Sequence, residues 1–198
     1  MFLALNPGEA DRSFHERDGI FRHEILEEYG SYSAWAASWP YLRDPWVARK
    51  GPNPHHRSRL RFLRDWTEER ELPGSAMVSF ELYPWHSSRF TGKLRVEDAL
   101  ETVQKYVLNP VKELRAPVFA FGALWFRILE NPALGLKIVE RLGAGGKPYE
   151  SHVKSRSVIV LRGKGGLTVI AAKHSGSAGP PSRDDTIRLR DAFDRCCR

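Results

Sequence analysis

Short apolar runs that stop abruptly at polar turns constrain this chain more than any other feature. Met1 to Leu5 is halted by Asn6-Pro7-Gly8. A proline without an N–H, followed by glycine, ends strand pairing at once. Ala76 to Tyr83 stops at Tyr83-Pro84-Trp85-His86, and Pro117 to Phe121 stops at Gly122. Val158 to Leu161 and Leu167 to Ala172 flank Arg162-Gly163-Lys164-Gly165-Gly166. That spacing suits a hairpin or a strand closed by a glycine turn. The last run leads into Lys173-His174-Ser175-Gly176-Ser177. Continuous apolar strands mark a parallel sheet buried on both faces.

The stretches between these runs carry helical patterns, which points to the α/β class. His55 to Glu71 sets Leu60, Leu63 and Trp66–Thr67 near one face and arginines on the other, with Pro73-Gly74 as the expected stop. A helix is expected within Gly19 to Tyr29, and a loop over Trp39 to Pro54, which holds four prolines. Arg95 to Leu114 opens with Glu97 and Asp98, which suit a helix N-terminus, and is expected to break at Asn109-Pro110. Ala123 to Glu130 follows Gly122 and is expected to extend brokenly to Arg141. Arg183 to Cys196 is amphipathic, with Ile187, Leu189–Arg190 and Phe193 inward. The link from Tyr83 to Pro117 is long enough for a right-handed crossover. The expected architecture is one domain over residues 1–198, a three-layer α/β/α fold with a mostly parallel central sheet of about four strands.

Composition removes several classes of function. Cys196 and Cys197 are the two cysteines, and they cannot form a disulfide framework or a four-thiolate cluster. No apolar stretch approaches the roughly 20 residues that span a bilayer. Asn-Pro-Gly interrupts the N-terminus too early for a secretory signal. The expectation is a cytoplasmic chain with no membrane contact. Of seven histidines only His55-His56 are clustered, and no zinc spacing appears, so no metal is expected. A net charge of +7 with a pI near 9.6 favours a polyanionic partner. Six Trp and ten Phe are many, and several are expected at a binding surface. Gly143-Ala144-Gly145-Gly146-Lys147 fails as a phosphate loop, because Pro148 stands where Ser or Thr is needed and no clear strand precedes it.

Ligands of open α/β sheets bind beyond the carboxyl ends of the strands. Asn6, the Tyr83–Ser87 segment, Gly122 and the His174–Ser177 segment all stand at such ends. In this order they resemble the uracil-DNA glycosylase superfamily, over most of the chain. Leu3 to Gly8 resembles the first motif of the Asn-Pro-Gly, mismatch-specific thymine/uracil branch. His174-Ser175-Gly176-Ser177 resembles the second motif, a histidine opening a Ser/Pro-rich loop. Phe119 to Ala123 is similar to the third strand-to-helix turn, and Tyr83-Pro84-Trp85-His86 stands at the base-reading strand end.

The resemblance implies a monofunctional DNA glycosylase that hydrolyses the N-glycosidic bond of a flipped base. The catalytic residues it implies are Asn6, orienting water, and His174, hydrogen-bonding the departing base. An amide cannot take a proton near neutral pH, so slow turnover is expected. Pro7 and Gly8 complete the first motif. Phe14 or Phe21 would floor the base, with Phe21 preferred. Tyr83, Trp85, His86 and Glu81 would contact the base edge. Glu81 either accepts from an exocyclic amine or simply sits at the sheet edge. Ser87, Ser88, Arg89, Lys173, Ser175, Ser177 and Arg183 would grip phosphates. Arginines on the helix from His55 either extend that footprint or form a solvated face.

The implied partner is DNA, single- or double-stranded, bound by a monomer without cofactor or metal. The iron–sulfur branches are excluded by the cysteine count. The second-motif loop, Gly176 to Pro181, has no leucine to plug the stack. Either Pro180-Pro181 or another loop must do so, which favours single-stranded or modified substrates. Strand one opens at Met1, so no counterpart is expected for the helical segment that usually precedes it. The aromatic insertion at 31–54 would shape the pocket for an unusual base, including a modified base in phage DNA. The rivals are a catalytically inactive or regulatory DNA-binding protein on the same fold, and a protein-interaction module using exposed aromatics.

Overall fold

The computed structural model describes residues 1–4, 23–38, 47–48, 51, 53–82, 95–112, 116–143, 156–173 and 179–197. Its strands are β1 (Phe2–Ala4), β2 (Ser79–Glu81), β3 (Val118–Phe121), β4 (Lys137–Gly143), β5 (Ser157–Arg162) and β6 (Thr168–Lys173). They form one six-stranded sheet in the order β2-β1-β3-β6-β5-β4. β1 pairs in parallel with β2 and β3, and β3 with β6. β5 is antiparallel to both β6 and β4. Among the described strands β5 alone therefore runs against the rest. The mixed α/β, mostly parallel class is as expected, whereas the described residues already hold six strands rather than about four.

The α-helices are α1 (Tyr32–Ala37), α2 (Pro54–Thr67), α3 (Val96–Val103), α4 (Asn109–Val111), α5 (Ala123–Leu129) and α6 (Arg183–Cys197). Successive strand side chains point to opposite faces, so each strand feeds two cores. Phe2, Phe119, Phe121, Val160 and Ile170 pack against Phe62, Leu63 and Trp66 of α2 and Leu189, Ala192 and Phe193 of α6. Leu3, Val118, Ala120, Ile159 and Val169 pack the other way, against Val103 of α3 and Leu124, Trp125 and Ile128 of α5. Helices thus cover both faces.

The first core is dominated by rings. Phe62 lies 4.8 Å from Phe119 and 5.3 Å from Phe121, both edge-on, and Trp66 lies 5.0 Å from Phe119. Each such pair is worth about 0.5–1.5 kcal/mol beyond its burial. Trp35, Trp66, Trp125, Phe2, Phe62, Phe119, Phe121, Phe126 and Phe193 are all buried. All of these but Trp35 fill the two cores between sheet and helices rather than a binding surface, which corrects the surface expectation for them.

Three further expectations change. α2 ends at Thr67, not at Pro73-Gly74, because Glu68 takes the left-handed cap position with φ 62°. Arg64 then donates to the Leu72 carbonyl through Nε and Nη2, at 3.0 and 2.9 Å, and ties down the returning chain. The helix from Val96 does not break at Asn109-Pro110. A π-helical turn, Gln104–Leu108, joins α3 to α4, and the Asn109 N–H reaches the Gln104 carbonyl. The wider turn accommodates a proline ring that would clash inside a regular helix. Finally, α5 does not extend to Arg141. Asn131 caps a single 3-10 turn, Gly135 turns the chain with φ 66°, and β4 follows. In the first connection, His23–Glu28 forms a π-helical turn inside the expected Gly19 to Tyr29 helix.

Candidate functional site at the carboxyl edge of the sheet

Strand register brings the carboxyl ends into line. Ala4 pairs with Glu81, Leu3 with Ala120, and Phe121 with Ala172. Ser157 pairs with both Lys173 and Gly143, so β4 ends at the same edge. Beyond these ends the sequence continues to Asn6, Tyr83, Gly122, His174 and the glycine-rich segment from Gly143. Asn6, Pro7, Gly8, Phe14, Phe21, Tyr83, Trp85, His86, Ser87, Ser88, Arg89, His174, Ser175 and Ser177 lie outside the described residues.

The topology also marks a crevice. The connection leaving β1 carries α2, which packs on the Phe2 face. The helix leaving β3 is α5, which packs on the opposite face. β1 and β3 are neighbours. Their connections diverge to opposite faces, which is the switch point where open α/β sheets hold ligands. Gly122 turns β3 into α5 with φ 111° and ψ 157°, a conformation essentially limited to glycine. Its N–H donates to the Ala172 carbonyl at 2.9 Å.

The N-terminus of α2 reaches this edge with a cluster of charges. The Asn53 side chain caps the helix, accepting from the N–H groups of His55 and His56 at 3.0 and 3.3 Å, and Pro54 fits the first turn. His55 Nε2 lies 3.7 Å from Oε1 of Glu81, the last residue of β2. Arg59, one turn further, is only 3% exposed. Its Nη1 donates to the His55 carbonyl at 3.2 Å, and its guanidinium carbon stands 5.9 Å from the Phe2 ring centre. Glu81 Oε2, His55 Nε2 and Arg59 Nε are buried without a hydrogen-bond partner.

Burial lowers the Arg59 pKa to about 10, opposed by the Glu81 charge, and the side chain stays cationic at neutral pH. Burial, then the charges of His55 and Arg59, push His56 down to about 4, so that imidazole is neutral. Each orphaned buried polar atom costs about 1–3 kcal/mol. These atoms gather where α2 meets the end of edge strand β2, one strand away from the β1–β3 switch point.

Sequence reasoning missed Arg59, because it assigned the arginines of this helix to the outer face. Two signals pointed to it: its place one turn before Leu63, and the carboxylate of Glu81 in an otherwise apolar strand. Glu81 itself sits at the end of an edge strand and faces α2.

Lys173 ends β6 at the same edge, half-buried, with its ammonium 4.1 Å from the Phe126 ring centre. Arg183 opens α6, and its Nε lies 3.4 Å from Oδ1 of Asp65 on α2. Glu81 and Lys173 thus share the carboxyl edge, whereas Arg183 belongs to the α2–α6 face. A strand does precede Gly143, contrary to expectation. β4 carries a bulge at Val139 that disguises its alternation, but Pro148 still stands where a phosphate loop needs a hydroxyl. Among the described residues no group of three or more His, Cys, Asp or Glu could hold a metal ion, and no helix is long and apolar enough to cross a membrane. No protein-family model, curated protein or solved structure matches the chain.

Proposed function

We propose that this chain is a monofunctional DNA glycosylase of the uracil-DNA glycosylase type. It hydrolyses the N-glycosidic bond of a flipped uracil, mismatched or modified base and leaves an abasic site. One observation carries the reading: β1 and β6, the strands that lead in sequence to Asn6 and His174, end at one edge with only β3 between them. Two strand spacings separate the axes of β1 and β6 by about 10 Å, a span on the scale of a nucleoside, which supports this reading.

In this reading, water oriented by the Asn6 amide adds to the sugar carbon as the bond to the base breaks, and the proton that the water sheds ends on the departing base. Positive charge develops on the sugar and negative charge on the base. His174 donates a hydrogen bond to the base carbonyl, where that negative charge gathers. Glu81 offers its unpartnered Oε2 to an exocyclic amine of the base. Extrusion of the base costs a few kcal/mol and is cheapest from mismatched or single-stranded DNA.

The test is base release from single- and double-stranded oligonucleotides carrying uracil, mismatched thymine, hypoxanthine or modified cytosines, read as alkali-labile abasic sites. Asn6→Ala and His174→Ala should each lower the rate about 10²–10³-fold, the usual effect of losing one such group, while DNA affinity stays nearly constant. Tight binding with no release across the panel would instead favour a non-catalytic DNA-binding protein.

A further inference from the structure

We infer that the groove between α2 and α6 binds the phosphate backbone of a nucleic-acid strand running on from the carboxyl edge. The inference rests on the nucleic-acid part of the proposed function and not on its chemistry. A cavity of about 720 Å³ opens there, lined among the described residues by Arg57, Arg61, Arg64, Arg70 and Arg183 with a single acid, Asp65.

The pairing of these groups leaves a surplus of cations. Asp65 is taken by Arg183, and Arg64 is held by the Leu72 carbonyl. Among the described residues, no carboxylate lies within ion-pair distance of Arg57, Arg61 or Arg70. The next cavity along the groove is neutralised differently, since there Arg190 meets Glu68 at 2.8 Å. Unpaired guanidinium groups sharing one concavity repel each other until an anion enters.

The shape argues for a strand rather than a single phosphate. Arg57, Arg61 and Arg64 recur one helical turn apart and span about 10 Å of α2. A lone anion would occupy one end of that stripe, whereas a backbone with a charge at every nucleotide matches its length. Guanidinium forks suit phosphate oxygens. The groove starts at the first turn of α2, where Pro54 and Arg57 line it, and the same turn carries His55, 3.7 Å from Glu81 at the end of β2. A lipid surface fits poorly. The exposed large apolar side chains among the described residues are Val78, Tyr106, Ile138 and Val139, and none lines the groove.

The test is fluorescence anisotropy of a labelled single-stranded oligonucleotide with the full chain, over a range of salt concentrations. The variant R57Q/R61Q/R70Q should flatten the slope of log affinity against log salt by about 2, at roughly 0.7 per lost phosphate contact. The corresponding triple lysine variant should keep most of the slope. Circular dichroism melting confirms that each variant is folded. An unchanged slope in the glutamine variant would overturn the inference. So would binding to phosphatidylserine vesicles in preference to the oligonucleotide. The slope and base release fail separately. A flattened slope without any base release leaves the groove and removes the glycosylase, and base release with an unchanged slope does the reverse.

Discussion

Arg59 and His56 show how far a single residue can depart from its sequence pattern. Both sit on a helix whose arginines read as a solvated face, yet Arg59 is buried and His56 is pushed down to about 4. The shift on His56 has a measurable consequence. Above its ordinary value of 6.5 the imidazole is neutral in the folded and unfolded chain alike. Between 6.5 and about 4 the unfolded chain takes up the proton and the folded one does not, so stability falls as pH falls. The total loss is about 3 kcal/mol. Urea unfolding midpoints at pH 7.5 and pH 4.5 should therefore converge in His56→Gln relative to the parent chain. Identical pH profiles would assign the acid sensitivity elsewhere.

At the scale of elements, local chemistry was readable wherever the chain followed a regular period. β1, β3, α5 and the β5–β6 hairpin occur where the apolar runs and turn residues put them. β4 was not readable, because the extra residue at Val139 breaks the two-residue alternation and the strand is rich in charge. Bulges and charges are the usual protection of an edge strand, and they hide it from pattern reading. The hairpin turn offers a sharper test of what a glycine does. Gly165 (φ 72°) and Gly166 (φ 83°) both hold left-handed backbone. A β-carbon on Gly165 would stand 2.5 Å from the Lys112 carbonyl oxygen, whereas one on Gly166 would meet open space. Gly166→Ala should cost about 1–2 kcal/mol, the ordinary penalty for that backbone. Gly165→Ala should cost clearly more in the same calorimetric comparison. Equal losses would mean that the turn moves away from Lys112 freely.

For the whole molecule, the question is whether chemistry and strand binding occupy separate places. The proposed catalytic motifs follow β1 and β6, and the arginine groove lies on the outer side of the α2–α6 layer. Groups with no shared partner contribute additively. Adding Asn6→Ala to the arginine triple variant should leave its DNA affinity where the triple alone puts it, within about twofold, because ~0.4 kcal/mol is the usual additivity error. Anisotropy titration measures this directly. A much larger drop would tie Asn6 to strand binding and weaken its proposed role in orienting water.

By itself the sequence determined the mixed α/β class of the fold, the glycine turn that ends β3, and the residue types offered beyond the strand ends. Those are local properties: an apolar run and a glycine free to take positive φ act within a few residues. Only the tertiary structure decided the order β2-β1-β3-β6-β5-β4, the divergence of helices at β1 and β3, and the burial of Arg59 beside Glu81. A periodic pattern reports that a face is buried but not what covers it. Strand order and the partner of a buried charge depend on contacts between residues far apart in the chain, here β1 beside β3 and α2 against the end of β2.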